Sequence, residues 1–399
     1  MRLQQVPSVA QQKILTSCDP VSLLQLALCS KRMQNLVRGM DVTVSVFARL
    51  TSEVYGIVIC SPESCRHLDI VLDETKEGEC LDGALLAARC KRVSERVMSC
   101  DAVSSLQNTA ALYAWLVGLF SPKQLGWHLN LDAWDQQQIG QLVLTPFFAS
   151  SFVVFVEGKL IESESLRLLI DNLLTASNFN VQTGVPLHFD HPNPFRFTHT
   201  IYADARWART EHLLSMNLST LLLESTSFGS SDINAFLKKW LETDLEMVRD
   251  LTLYLSSKID LDVVLAGIQT LKFYSNDRKA PFLLITSRRE VRREGQLGTI
   301  GHNGDRTFRF TTKRDERFPG KKALLRLVQR KADLEVEEDV VRQQIQNFEW
   351  NSENDGTRME RFRELENRKT SIRNELRQVE WELQKERVDF STGRAVIRS

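Results

Sequence analysis

From residue 122 onward, short strand-like runs alternate with amphipathic helical runs at a nearly constant spacing, and this restricts the fold more than any other feature. The strand-like runs are 127–132, 152–157, 185–190, 220–224 and 250–255. Their centres lie about 25 to 35 residues apart, a spacing typical of stacked supersecondary repeats. Between them, Leu166, Leu169, Ile170, Leu173 and Leu174 recur at helical intervals. So do Ile233, Phe236, Leu237, Trp240 and Leu241, and then Leu261, Val264, Leu265 and Ile268. Each stripe needs a sheet to cover it. A strand followed by a helix at a nearly fixed period predicts a leucine-rich-repeat-like solenoid. The period exceeds the roughly 20–29 residues usual for that repeat and the Asn ladder is missing, so an ordinary α/β sheet of βα units is the alternative.

Ahead of this region, 42–47, 55–59 and 67–72 alternate with period two and read as strands. Residues 75–79 form a polar turn, and 81–120 turn helical, with Leu106, Ala110, Tyr113, Ala114 and Val117 in phase. From Lys321 the composition shifts to Glu, Arg, Lys, Gln and Leu without proline. Leu327, Leu334, Val341, Ile345 and Phe348 form one heptad-like stripe; Phe362, Leu365, Ile372, Leu376, Val379 and Leu383 form another. Lys331, Glu338 and Lys369 interrupt them. The two runs either fold back as an antiparallel coiled-coil hairpin or pair with a second chain. The expectation is an α+β or α/β protein with segments 1–40, 41–126, 127–312 and 321–399.

The 399 residues carry 51 basic and 51 acidic side chains, so no net field draws the chain to nucleic acid or membrane. Seven cysteines, none in a CxxC pair, suit a reducing compartment. The N-terminus lacks the apolar core of a signal peptide, and the most apolar later stretch, 142–156, is too short for a bilayer. A soluble protein of the cytosol or nucleus is expected.

Residues 6–38 read as three short helices. Pro7 fixes the start, and Ser8 with Gln11 makes a capping-box pattern for a helix over 9–17 bearing Ile14 and Leu15. Asp19 offers an N-cap and Pro20 the first turn of a helix carrying Leu23, Leu24, Leu26 and Leu28. Ser30 caps a third, with Leu36 and Val37 apolar. So small a unit cannot hide this much apolar surface and completes its core against a partner. The order Val6, Pro7, Ile14, Leu15, Asp19, Pro20, Leu23, then Leu26 to Arg32 resembles an F-box, most closely the nematode variety. Val6 stands where Leu is usual, and Met33 where an aromatic is common. The resemblance implies docking onto the Skp-type adaptor of a cullin–RING ubiquitin ligase. It makes Val6, Pro7, Ile14, Leu15, Leu23, Leu28 and Leu36 the buried anchors and Lys31 a rim contact.

Further on, 211–217, 221–224 and 231–240, with its D-I-N-A-F-L-K-K-W run, resemble the type 2 F-box-associated domain of nematode proteins. Residues 264–268 and 292–300 resemble two more of its segments, with Glu294 in place of Asp and Gly298 in place of Ala. Together the resemblances imply a non-catalytic substrate-recognition subunit of an SCF-type ligase, its repeat-like region holding a target protein. The alternative is a scaffold outside any ligase, forming a homo-oligomer through 321–399.

The chemistry-bearing clusters give weaker signals. His188, Asp190, His191 and His199 fit no zinc spacing, and Pro192 and Pro194 make them a loop. Cys60, Cys65 and His67 want a fourth ligand. Gly295, Gly298, Gly301 and Gly304 lack the following Lys-Ser/Thr of a phosphate loop and read as hairpin turns. Arg288, Arg289, Arg292 and Arg293 have no aromatic platform for nucleic acid and form a solvated or partner-facing patch. No catalytic residue, cofactor or metal is expected; a metal enzyme using His188 to His199 is a distant third reading.

Overall fold

The structure, a computed structural model, describes residues 7–40, 44–51, 55–60, 67–71, 105–132, 134–145, 147–243, 247–273, 282–286, 296–302, 306–314, 320–348, 355–390 and 394–397. It divides into two compact units, Met1–Trp207 with Leu222–Ser225, and Ala208–Leu221 with Thr226–Ser399. The stretch 127–312 contributes to both. No helix among the described residues is long and apolar enough to cross a membrane.

The first unit begins with three helices, α1 (Ser8–Thr16), α2 (Pro20–Cys29) and α3 (Lys31–Arg38). A sheet follows, with the neighbour order β3-β2-β1-β4-β5-β6-β7. Its strands are β1 (Ser45–Leu50), β2 (Tyr55–Cys60), β3 (His67–Val71), β4 (Gln124–Asn130), β5 (Val153–Leu160), β6 (Asn178–Gly184) and β7 (His199–Tyr202). Short links make β1, β2 and β3 antiparallel. From β1 through β4, β5, β6 and β7 every pairing is parallel, and helices Ser105–Phe120, Gln136–Val143 and Ser163–Asn172 precede β4, β5 and β6. Parallel neighbours need such crossovers. Period-two alternation then sorts the strands: Trp127, Leu129, Val154, Val156, Phe179 and Val181 are fully buried, with Leu112, Leu116, Leu142, Leu166, Leu169 and Ile170 of the helices. The opposite phase carries His128, Phe155, Asn180 and Gln182, none of them buried.

The expected strand over 185–190 is a loop; the strand is β6, just before it. The reason is local. Pro186 removes a ladder donor, and an aromatic cluster pins the loop: Phe189 and Trp207 meet at 4.8 Å and Tyr202 and Trp207 at 5.2 Å. Tyr202 Oη donates to Pro194 O at 3.2 Å.

β8 (Leu218–Thr226) has residues in both units; helix Ser230–Glu242 follows it, and then β9 (Val248–Leu255) of the second unit. The strand–helix period then stops. β10 (Leu271–Phe273), β11 (Phe282–Thr286), β12 (Gln296–His302) and β13 (Thr307–Arg314) form an antiparallel run ordered β9-β13-β12-β11-β10. The short links from β10 through β13 permit only antiparallel pairing, and β13 lies antiparallel beside β9. The glycine-rich segment expected as turns is therefore largely strand, since Gly298 and Gly301 lie inside β12.

Helices Lys321–Gln346 and Asp355–Lys385 fold back on each other and pack on this sheet. Leu324, Leu325, Val328, Leu334 and Val341 join Ile372, Leu376, Val379 and Leu383 in one core with Leu271, Leu284 and Leu297. The chain then returns as β14 (Val388–Asp389) and β15 (Ala395–Ile397), β15 pairing parallel with β10. The C-terminal helices are an integral layer of this unit. Their interrupting charges are matched: Lys331 pairs with Glu335 and Glu380, Glu338 with Arg342 and Arg373, and Lys369 with Glu366. Arg330–Glu375 and Arg368–Glu337 complete an antiparallel register.

Candidate functional site

Two surfaces of the first unit carry the functional argument. The first is the helical N-terminus. Asp19 caps α2, accepting from Ser22 N at 2.9 Å with Pro20 in the first turn, and Ser30 Oγ accepts from Met33 N at the start of α3. The expected capping box of Ser8 and Gln11 is replaced: Pro7 is the N-cap of α1 and makes no side-chain cap bond.

The predicted docking residues separate by position. Leu15 and Leu23 are 1% and 0% exposed, interior with Leu24, Ala27, Met33 and Val37. Helical spacing explains this, because Leu23, Leu24 and Ala27, and Met33 and Val37, share inner faces. Ile14 is 45% exposed; Pro7 and Lys31 are also exposed, and Leu28 and Leu36 are half-buried. Val6 lies outside the described residues. Val9, not singled out in the sequence, is the most exposed apolar side chain of α1. The core of this unit is completed partly by the chain itself: α3 packs on helix Ser105–Phe120, and Arg38 Nε donates to Gly118 O at 3.1 Å. Burial and the neighbouring Asp19 charge push the Cys18 thiol up, which keeps it protonated and poorly nucleophilic.

The second surface is the sheet face of the opposite phase, where Arg49, His128, Asn180 and Ile201 are half-buried and Phe155 and Gln182 exposed. Strand register aligns Arg49, His128, Phe155, Asn180 and Ile201 in a row across β1, β4, β5, β6 and β7. A parallel row holds Asn130, Glu157 and Gln182. His128 Nε2 lies 3.0 Å from Glu157 Oε2, and its ring meets Phe155 edge-on. Gln182 Nε2 donates to Asn180 Oδ1 at 2.7 Å. Phe155, 37% exposed, is an aromatic anchor in a polar, mixed-charge field, a composition suited to binding protein. The sequence did hold a signal: Phe155 falls on the outward phase of a strand whose inward phase is Val154 and Val156.

The histidine-rich loop is held by its own hydrogen bonds. His191 Nε2 contacts Asp171 Oδ1 at 3.0 Å while its Nδ1 accepts from Asn193 N, and His188 Nε2 lies 3.3 Å from Ser163 Oγ. The described residues contain no cluster of three metal-ligating side chains. Cys65 and the arginines at 288, 289, 292 and 293 lie outside the described residues.

Comparison with known proteins adds identity to this geometry. The family model described as the F-box domain matches residues 3–45, and the one described as F-box associated matches residues 192–253. Uncharacterized protein F59B2.9 of Caenorhabditis elegans is 23% identical over 347 residues, covering 81% of this chain and 81% of its own length. Uncharacterized protein F59B2.8 of the same organism is 22% identical over 356 residues, covering 82% and 80%. The three N-terminal helices thus lie within a segment that matches the F-box domain, and the chain also carries a match to the F-box associated domain.

Proposed function

We propose that this chain is the substrate-recognition subunit of an SCF-type cullin–RING ubiquitin ligase, acting in the cytosol or nucleus without catalytic residues of its own. The F-box docks on the Skp-type adaptor. Pro7, Ile14 and Lys31 supply exposed contacts and Leu28 and Leu36 half-buried ones, while Leu15 and Leu23 hold the helices in place from inside. The sheet face around Phe155 holds the target protein. The chemistry is proximity: a tethered target presents its lysines at high effective concentration to a conjugating enzyme carried elsewhere in the complex.

The observation that carries this reading is the pairing, in one chain, of an F-box match with a sheet face that bears an exposed aromatic, Phe155. Co-purification of the full chain with the adaptor tests it. Ile14→Asp with Lys31→Glu, both at exposed positions, abolishes the complex without unfolding the protein. Adaptor binding that is absent in the unaltered chain, or unchanged in this variant, overturns the reading.

A further inference from the structure

The parallel strands β4 to β7 are all entered from one edge of their sheet and left at the other. Links 121–123, 144–152, 173–177 and 192–198 lie at the entry edge. Backbone hydrogen bonds tie them together: Phe152 N donates to Leu125 O at 2.8 Å, Ser177 N to Phe152 O at 2.9 Å and His199 N to Ser177 O at 2.7 Å. Leu174 N also donates to Ala149 O at 2.9 Å. Three large apolar side chains stand in solvent on this edge. Leu144 is 82% exposed, Leu174 75% and Phe147 39%.

Phe147 sits there at a conformational cost. Its φ is 68°, in the left-handed region that a bulky L residue rarely adopts. Its carbonyl accepts from Ser150 Oγ at 3.2 Å and from Ser151 Oγ at 2.9 Å, which holds the loop in this form. Strain that the surroundings keep in place, beneath an exposed ring and beside two exposed leucines, marks a contact surface.

Charge says what fits it. The four entry links contain Lys123 and Arg196 and no Asp or Glu. The links at the exit edge hold Asp132, Asp135, Glu162, Asp190 and Asp204. Arg196 is exposed, and its Nη2 donates to Leu173 O, which fixes the guanidinium next to Leu174. Its remaining N–H groups form a fork that suits a carboxylate. A lipid surface would call for a cluster of lysines and arginines beside the apolar anchors, and these links supply only Lys123 and Arg196.

We propose that this edge is a docking site for a protein segment in which apolar side chains are interspersed with carboxylates. The apolar ones cover Leu144, Phe147 and Leu174, and a carboxylate pairs with Arg196. The site is distinct from the F-box helices and from the face of Phe155, and the inference stands whatever those bind.

Selection of a random-peptide phage library on the immobilised full-length chain tests it. The selected peptides combine Leu, Ile or Phe with Asp or Glu, and their affinity falls as salt rises. Synthetic copies bind Leu144→Glu and Leu174→Glu about tenfold more weakly, with circular dichroism unchanged because both positions are exposed. A library that yields no binder, peptides without acidic residues, or peptides indifferent to both substitutions overturns the inference. So does binding of phosphatidylserine vesicles that Leu144→Glu abolishes, because the patch then faces lipid.

Discussion

Phe310 fills the space that a side chain at residue 298 would need. A Cβ on Gly298 would lie 3.1 Å from Trp240 Cη2, and 2.7 Å from both Phe310 Cε2 and Ile285 Cγ1. The rings of Trp240 and Phe310 meet nearly edge to face at 5.0 Å. The F-box-associated pattern that this stretch resembles has Ala there. Glycine at 298 is thus a packing requirement set by Ile285 and Phe310 of the neighbouring strands. Gly298→Ala overpacks a core of fully buried rings and lowers stability by about 1–3 kcal/mol. Adding Phe310→Leu relieves part of the clash, so the double variant is more stable than the sum of the single effects. Urea denaturation of the three variants measures the coupling; strict additivity contradicts it.

The carboxamide of Asn234 joins two segments that the sequence shows only as separate motifs. Its Nδ2 donates to Val264 O at 2.8 Å and to Ala266 O at 3.0 Å. Asp232 closes the same helix start, accepting from Gly229 N at 2.8 Å and from Thr210 Oγ1 at 2.5 Å. Asn234→Ala removes a donor from two carbonyls and costs about 1–3 kcal/mol. Asn234→Asp costs more, because a carboxylate repels both acceptors. Thermal melts that rank Asp above Ala in stability contradict this assignment.

Glu338 gives the hairpin a dependence on acid. Hydrogen bonding from Arg373 first, then from Arg342, holds its carboxyl below the usual carboxylate range. A depressed folded value means that the stabilisation is present above the unfolded value of about 4.3. It is lost as pH falls through the folded value. Glu338→Gln therefore shows a flatter loss of stability between neutral and acid pH than the unaltered chain. Denaturation at a series of pH values reads the difference; identical slopes contradict it.

The two binding surfaces proposed above, the F-box and the face of Phe155, are separable. Phe155→Arg lies at a partly exposed position facing away from the helices, so it leaves folding and adaptor binding intact and removes target capture. Ile14→Asp with Lys31→Glu does the reverse. Pull-downs of the chain with adaptor and target, scored separately, distinguish the two. Loss of both partners from Phe155→Arg contradicts the assignment of that face.

Local signals were legible where a residue's neighbours in sequence decide its role. Asp19, Pro20 and Ser30 mark helix starts through their own backbone chemistry, and the structure puts α2 and α3 where they say. The inward phases of β4 and β5 were equally clear, because Val154 and Val156 alternate with Phe155. The strand β6 was missed because Asn178, Asn180 and Gln182 on its open phase hide an alternation whose buried half is Phe179, Val181 and Thr183. The run 185–190 looked like a strand, yet Pro186 and the aromatic cluster around Trp207 hold it as a loop.

Residues close in sequence set the caps of α2 and α3, the strand–helix alternation, the F-box pattern and the heptad spacing of the C-terminal runs. Each depends on residues within a few turns of one another. Only the tertiary structure decided that β9 to β13 turn antiparallel and that the C-terminal helices pair within one chain and pack on their sheet. It alone decided that Leu15 and Leu23 face inward while Ile14 faces out, and that Phe155 stays partly exposed. The reason is physical: periodicity fixes which side chains share a face, whereas what covers that face depends on contacts between residues far apart in the chain.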